Sequence, residues 1–365
     1  MQIDFHHAVT YVVARLAGFG HAEAEVVAHS AQYVDDATNG GEILFDNGAL
    51  YSRIASAHKM LDYRNFERLA TARVWIPFHF LPGNEGLPAG QGEDIDLMQR
   101  MVCRPDSHVA RAMVAAAIAA RHQPYGLHRL GITMHVYADT WAHQGFAGVN
   151  HEVNLVRNVR DDAGNLDTSL RNRLKSFFDD VFDSATSNFV GKTMPLGHGA
   201  ALSYPDRPYL HWRYEDGLGS AVERDNPSDF LTAAERMCEA MQRFRIGDPS
   251  AAVPGLPAAD RERIGRLLAE TRLEEGEDRH AVWLDHIRGG HFAFGAAQPR
   301  YVDKGRGSWK FLAIGDHKRR DYSTERFDYR PSFLHSDWKM FHDALLAHRF
   351  EVIHEILPRF GICAA

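Results

Sequence analysis

The amino-acid sequence predicts an all-α protein, a multi-helix bundle with a mainly helical C-terminal extension. Three observations predict it: apolar residues recur at helical spacing, one alanine-rich segment offers small side chains for close packing, and strand patterns are scarce.

Residues 5–19 place Phe5, Val9, Val12, Val13 and Leu16 on one stripe, and Gly18 and Gly20 end it. Residues 21–36 give a second helix with a face of Val26, Val27, Ser30, Tyr33 and Val34. It closes on Asp35 and Asp36, where the helix dipole opposes negative charge, so either a positive group lies nearby or two solvated acids sit at a frayed end. Residues 73–95 hold three prolines and several glycines and read as a loop with His79 between Phe78 and Phe80. Ser107 sits at a helix start, and residues 110–121 are the alanine-rich segment expected at the bundle's centre. Helices are expected over 126–146, 168–188, 228–245, 258–273, 278–287 and 335–356. Between them, 191–212 is too rich in Gly and Pro for a helix and reads as a functional loop. The linker-like stretch 248–257 allows a boundary near 250. The division adopted is a catalytic, metal-binding region over 1–215 and a helical extension of unknown role over 216–365, unless the two form one continuous domain.

Composition excludes several classes. The 365 residues are 45% hydrophobic, 24% charged and 11% aromatic, which is globular and neither disordered nor collagenous. Lys and Arg number 41 against 48 Asp and Glu, and a net charge of -7 offers nucleic acid no global attraction. No nucleic-acid partner is expected. Apolar runs fall short of the roughly 20 residues that span a bilayer, so no transmembrane segment is expected. The N-terminus puts an acid and two imidazoles where a Sec signal needs a basic start and an apolar stretch. Cytoplasmic residence, or export by a route without a Sec signal, is the expectation. The three cysteines, Cys103, Cys238 and Cys363, form no CxxC pair and support neither a disulfide framework nor a thiolate zinc site. The outlying figure is 22 histidines, the residue that most often ligates metal.

The most informative segment contains His135, Asp139 and His143. Steps of four residues advance about 400° on a helix, so the three form one polar stripe. Ile132, Val136, Tyr137 and Trp141 around them suggest a buried helix, and buried polar groups need partners. Either a hydrogen-bonded His-Asp-His core network or a divalent metal supplies them, and the loop histidines favour metal. Asp139 could bridge two ions, one held with His135 and one with His143. The remaining ligands are to be drawn from His6 or His7, Asp35 or Asp36, His79, His198 and Asp206. His198, with glycine on both sides, is hard to explain by packing alone. His151, His211 and His291 have no such setting. Ser203 lacks a nucleophile-elbow context, and the glycine-rich 289–295 lacks what a phosphate loop requires.

The order of an N-terminal His, an Asp at a helix end, a loop His, HxxxD on a central helix and further histidines resembles the zinc-dependent phospholipase C superfamily, which also contains zinc-dependent single-strand nucleases. The segments around Phe5, Ile76 and Gly197 are similar to an intracellular-type bacterial branch with phosphatidylcholine-preferring members. The resemblance, over roughly residues 1–215, implies a helical fold and two or three zinc ions. It implies a first site of Asp36 (or Asp35), His79, His135 and Asp139, a second of His143, His198 and Asp206, and a third of His6 or His7 with Asp139. Three departures stand out. The secreted enzymes bind one zinc through the amino end of a mature tryptophan, which this chain lacks, so His6 or His7 is expected to substitute. Their second-site His lies six residues after the bridging Asp, where this chain has Gly145. Their last carboxylate follows as HxxxE on a helix, whereas a proline-containing loop separates His198 from Asp206.

The expected activity is a phospholipase C that cleaves phosphatidylcholine-like glycerophospholipids to diacylglycerol and a phosphorylated head group. Closely spaced zinc ions would neutralise the phosphodiester and acidify a water, and Asp36 (or Asp35) would orient it or act as base, with Asp139 the second catalytic carboxylate. The alternatives are a nuclease or other phosphodiesterase, and a non-catalytic binding protein whose metals staple the bundle. Trp75, Phe78, Phe80, Tyr204 and Tyr209 either wall an acyl-chain or membrane-contact surface or pack their loops to the core.

Overall fold

The chain opens with a π-helical turn, Asp4–Val9, whose six residues are all buried, and continues as α1, Thr10–Leu16. The computed structural model describes residues 1–58, 68–167, 196–318 and 326–364. The expected helix over 168–188 and the start of the 191–212 loop lie outside the described residues.

Helix α2, His21–Asp36, is buried from Val27 to Val34. The hairpin strands β1 (Gly41–Phe45) and β2 (Leu50–Arg53) follow, paired antiparallel with Gly41 opposite Arg53. Helix α3, Arg68–Phe78, occupies part of the expected 73–95 loop. Pro77 sits in its last turn, and the amide N–H groups of His79 and Phe80 both donate to the Trp75 carbonyl, so a tight turn follows directly. Next come α4 (Leu97–Met101) and α5 (His108–Ala119), the latter capped by Ser107, which accepts the Ala110 N–H at 3.2 Å.

Helix α6, Gly126–Ala142, is the central strut, buried over almost its whole length. It crosses α2 at Gly131, where a Cβ would lie 2.3 Å from the Val27 carbonyl oxygen. Only glycine permits that approach, and the approach brings the C-terminal half of α2 against His135.

Strands β3 (Arg157–Arg160), β4 (His211–Glu215) and β5 (Ala221–Asp225) make an antiparallel sheet with β4 in the middle. The helices α7 (Asn226–Ile246), α8 (Ala258–Glu270), α9 (Gly276–Arg288) and α10 (Trp309–Ile314) follow. Strand β6 (Arg326–Phe327) pairs parallel with β1, and α11 (Asp337–Phe350) runs into a π turn, Glu351–Ile356.

The all-α expectation is therefore corrected: the structure is 52% helical with 9% strand in two small sheets, a mixed α/β fold. The strands are two to five residues long, too short for alternation to show in the sequence. The 215/216 division cuts through one hydrophobic cluster, in which Phe5 and Met134 pack with Phe230, Met237, Trp283 and Ile356. Two buried arginine contacts tie the regions further. Arg129 of α6 pairs with Glu351 at 2.9 Å, and Arg224 of β5 donates to the carbonyls of Trp141 and Ala142 at 2.9 and 3.1 Å. The second contact satisfies carbonyl oxygens that the end of α6 leaves free and places a cation where its dipole is negative.

Candidate metal centre

Helix α6 presents His135 and Asp139, and its C-cap His143 continues the line, along one buried stripe, as their spacing requires. Four imidazoles around Asp139 and Asp206 share one arrangement: each has one ring nitrogen on a backbone carbonyl and the other facing a carboxylate. His135 donates from Nδ1 to Ala31 at 2.8 Å and turns Nε2 to Asp139 at 3.3 Å. His79 donates from Nε2 to Ser56 at 3.0 Å and turns Nδ1 to Asp139 at 3.5 Å. His143 donates from Nδ1 to the His79 carbonyl at 2.8 Å, leaving Nε2 3.5 Å from Asp206. His198 donates from Nδ1 to Leu202 at 2.8 Å, leaving Nε2 3.6 Å from Asp206. Because a carbonyl only accepts, each outer nitrogen carries the proton and, in the neutral ring, the inner one keeps its lone pair.

Asp35, at the end of α2, lies 3.8 Å from both His79 and His135. His6 stacks on His135 with ring centroids 3.8 Å apart and places Nε2 3.2 Å from Asp139 Oδ1. The same carboxylate oxygen accepts from the Met1 amino group at 2.7 Å, and Asp206 lies 3.2 Å from that amino group. Among the described residues three groups of donor atoms converge: His79, His135 and Asp139; His6, Asp35 and His135; His143, His198 and Asp206.

The donor set fits a metal. Two ligands about 2.1 Å from a tetrahedral ion lie about 3.4 Å apart, close to the separations above. Both His6 nitrogens, Asp139 Oδ2 and Asp206 Oδ1 are buried without a hydrogen bond, an arrangement that is costly unless something else occupies the space between them. The protonation states of the rings agree, whereas the Met1 amino group, which burial would lower, is raised to about 11 by Asp139 and Asp206 and would have to give up a proton to join them. Burial pushes His6 and His198 down to about 4 and also lowers His79 and His135, so these rings are neutral as ligands must be. Burial alone would raise Asp139 and Asp206, but His143 and the amino terminus beside Asp139, and the amino terminus beside Asp206, hold both well below the ordinary carboxylate range. Asp35 goes the other way, raised by burial and then by Asp139 beside it. A bound cation would reverse that repulsion.

The sequence-predicted residues thus separate. His6, Asp35, His79, His135, Asp139, His143, His198 and Asp206 come together; His7 and Asp36 do not. His7 turns away on the π turn and hydrogen-bonds His280 at 2.8 Å, while Asp36 accepts from Tyr301 and from Gln32 at 3.2 Å. Asp36 therefore has no place among the expected catalytic groups, because adjacent residues on a helix point about 100° apart. The α-amino group of Met1 was not expected. It stands with His6 where His6 or His7 alone was expected to substitute.

A pocket of about 370 Å³ opens onto the cluster, lined by Asp35, His79, Asp139, His143, His198 and Asp206, with Gln2, Gln32, His58 and Trp75 on its wall and Glu275 and Glu277 at its side. Of the five aromatics, Trp75 and Phe80 line it. Phe78 is fully buried, and the Tyr204 hydroxyl donates to Asp167 at 2.6 Å. Phe80 also stacks on His143 at 4.5 Å, so packing accounts for most of this set. Among the described residues no helix is long and apolar enough to cross a membrane.

The chain matches DUF6765, a family of unknown function, over residues 1–356 and belongs to that family. No curated protein and no solved structure matches it.

Proposed function

We propose that this protein is a zinc-dependent phosphodiester hydrolase, and that its substrate is a glycerophospholipid cleaved in the manner of a phospholipase C. The observation that carries the reading is the set of four imidazoles, three buried and that of His198 half-buried, each anchored through one nitrogen to a carbonyl and aimed through the other at Asp35, Asp139 or Asp206. A pure core network would not leave Asp139 Oδ2 and both His6 nitrogens without hydrogen bonds.

Asp35, His79, His135 and Asp139 would hold one ion; His143, His198 and Asp206 a second; His6, the Met1 amino group and Asp139 a third. Zinc there supplies positive charge for a phosphodiester and acidifies a water. Asp35 is the carboxylate best placed to orient that water or accept its proton, since a third of its side chain is exposed and it lines the pocket. It takes the role the sequence left between Asp35 and Asp36. His58 and Trp75 on the wall would position the substrate, and solvent entering the open pocket would protonate the leaving oxygen.

The nuclease reading shares this chemistry. Glu275 and Glu277 beside the pocket, together with the net charge of -7, oppose a polyanion and favour a compact substrate of low net charge. The test is an assay on a short-chain phosphatidylcholine, single-stranded DNA and a chromogenic phosphodiester, with and without chelator. Chelator-sensitive cleavage of the first and third supports the proposal. Chelator-insensitive cleavage, or none of the three, sinks it in favour of a metal-stapled binding protein.

A further inference from the structure

Helix α9 belongs to the region whose role the sequence left open, and it packs on the N-terminal π turn. Its Arg279 is fully buried and spends its whole guanidinium on two segments. Nε donates to Asp4 Oδ2 at 2.6 Å, and Nη2 donates to Gln2 Oε1 at 2.5 Å and leans on Asp4 Oδ1 at 3.4 Å. Nη1 donates to the carbonyls of Leu273 and Glu274, both at 2.8 Å. All five donors are placed, a geometry that a lysine cannot reproduce. Gly276, at the start of α9, completes the seat: a Cβ there would lie 2.8 Å from Gln2 Oε1. Gln2 and Asp4 lie within the stretch whose two ends, the Met1 amino group and His6, face Asp139 from this side.

We infer that Arg279 is a positioning residue: its contacts with Gln2 and Asp4 hold the N-terminal segment so that the Met1 amino group and His6 stand against Asp139. The inference rests on the metal reading only for its consequence, that losing Arg279 loses the ion held by His6 and Asp139 while the other two positions keep theirs. The region beyond residue 215 then has a role in the site without lending it a ligand. It acts through a buried ion pair of the kind that fixes a register.

Arg279→Met alone would strand Asp4 as an unpaired buried charge and could unfold the chain, so the decisive variant is the double replacement Arg279→Met with Asp4→Leu, which leaves no charge behind. Two measurements are made on a chain whose first residue is Met1. Reductive methylation reads the exposure of the α-amino group. In the wild type that group should resist modification, and in the double variant it should react roughly tenfold faster or more, with the lysines unchanged. Elemental analysis should find one metal fewer per chain, with near-ultraviolet circular dichroism preserved. An equally protected α-amino group in the folded double variant overturns the inference, and so does faster labelling with an unchanged metal count. Wild-type protein that binds no metal defeats the metal reading instead, and the methylation result then decides the positioning claim by itself. If the double variant does not fold, Gln2→Ala with Arg279→Lys, which keeps a cation for Asp4, is put through both measurements and judged by the same results.

Discussion

The Nδ1–H of His135 donates to the carbonyl of Ala31 at 2.8 Å, across the crossing of α6 and α2. That bond fixes the ring's orientation and tautomer, and it exists because Gly131, one turn earlier, lets the two backbones approach. The geometry of this candidate ligand and the packing of the helices are here one constraint.

Gly131→Ala should separate them. Its added methyl would have to displace the Val27 carbonyl, so a loss of about 1–3 kcal/mol in stability is expected, together with weaker metal retention in the protein that still folds. Urea unfolding and competition with a chelator check the two effects. Wild-type affinity for metal in this variant would show that the crossing does not set the ligand.

Asp139 faces two of the three positions through its two oxygens, Oδ2 toward His79 and His135 and Oδ1 toward His6 and Met1. Asp139→Asn should therefore lose more than one ion per chain, whereas Asp206→Asn should lose one. Elemental analysis of both variants is the check, and equal losses would contradict a bridging role.

Acid stability should be governed partly by histidines away from the site. Burial lowers His29 and His342 to about 3; Asp337 opposes the first shift and His128 adds to it, while Arg53 adds to the second. His29 stacks on Trp309 at 3.8 Å, and His342 Nδ1 accepts the Ile54 N–H at 3.3 Å, which only its neutral ring can do. In the unfolded chain both protonate near 6.5, so the unfolded state binds more protons between about pH 6.5 and 3. Their contribution is full above 6.5 and falls by up to about 1.4 kcal/mol per pH unit for each group as pH drops through that window. His29→Phe keeps the stack and removes one titration, so its melting temperature should fall less steeply between pH 7 and 5. An unchanged slope would mean that His29 is not neutral in the folded protein.

The acids beside the pocket should select by substrate charge. Glu275→Gln with Glu277→Gln is expected to raise cleavage of anionic diesters about two- to fivefold relative to a zwitterionic one, an effect that added salt should shrink. No change in that ratio at low ionic strength would remove these residues from substrate selection.

Much of this arrangement was legible in the sequence. The HxxxDxxxH stripe follows from helical periodicity alone, and His79 and His198 stood out through their loop contexts. What the sequence left open was set by angles and distant contacts. One residue of drift on a helix separates Asp35 from Asp36 and His6 from His7, and only the packed structure says which pair turns inward. The anchoring carbonyls of Ala31 and Ser56 have no side-chain signature at all. Arg279 is an arginine on an amphipathic helix until Asp4 is seen against it. The small sheets are not legible even with the hairpin signal of Asn47-Gly48 between β1 and β2, because each strand is too short to alternate visibly. The aromatic residues near the cleft drew attention through their loops, yet most of them pack those loops to the core.

The central claim, that the His and Asp cluster holds catalytic zinc, is tested most directly by metal analysis of the purified protein combined with anomalous scattering at the zinc edge from its crystals. The account predicts two or three zinc ions per chain, placed between His79, His135, Asp139 and Asp35, between His143, His198 and Asp206, and between His6, Met1 and Asp139. Purified protein exposed to zinc that shows no anomalous peak among these residues, with the Met1 ammonium still bound to Asp139, would contradict it.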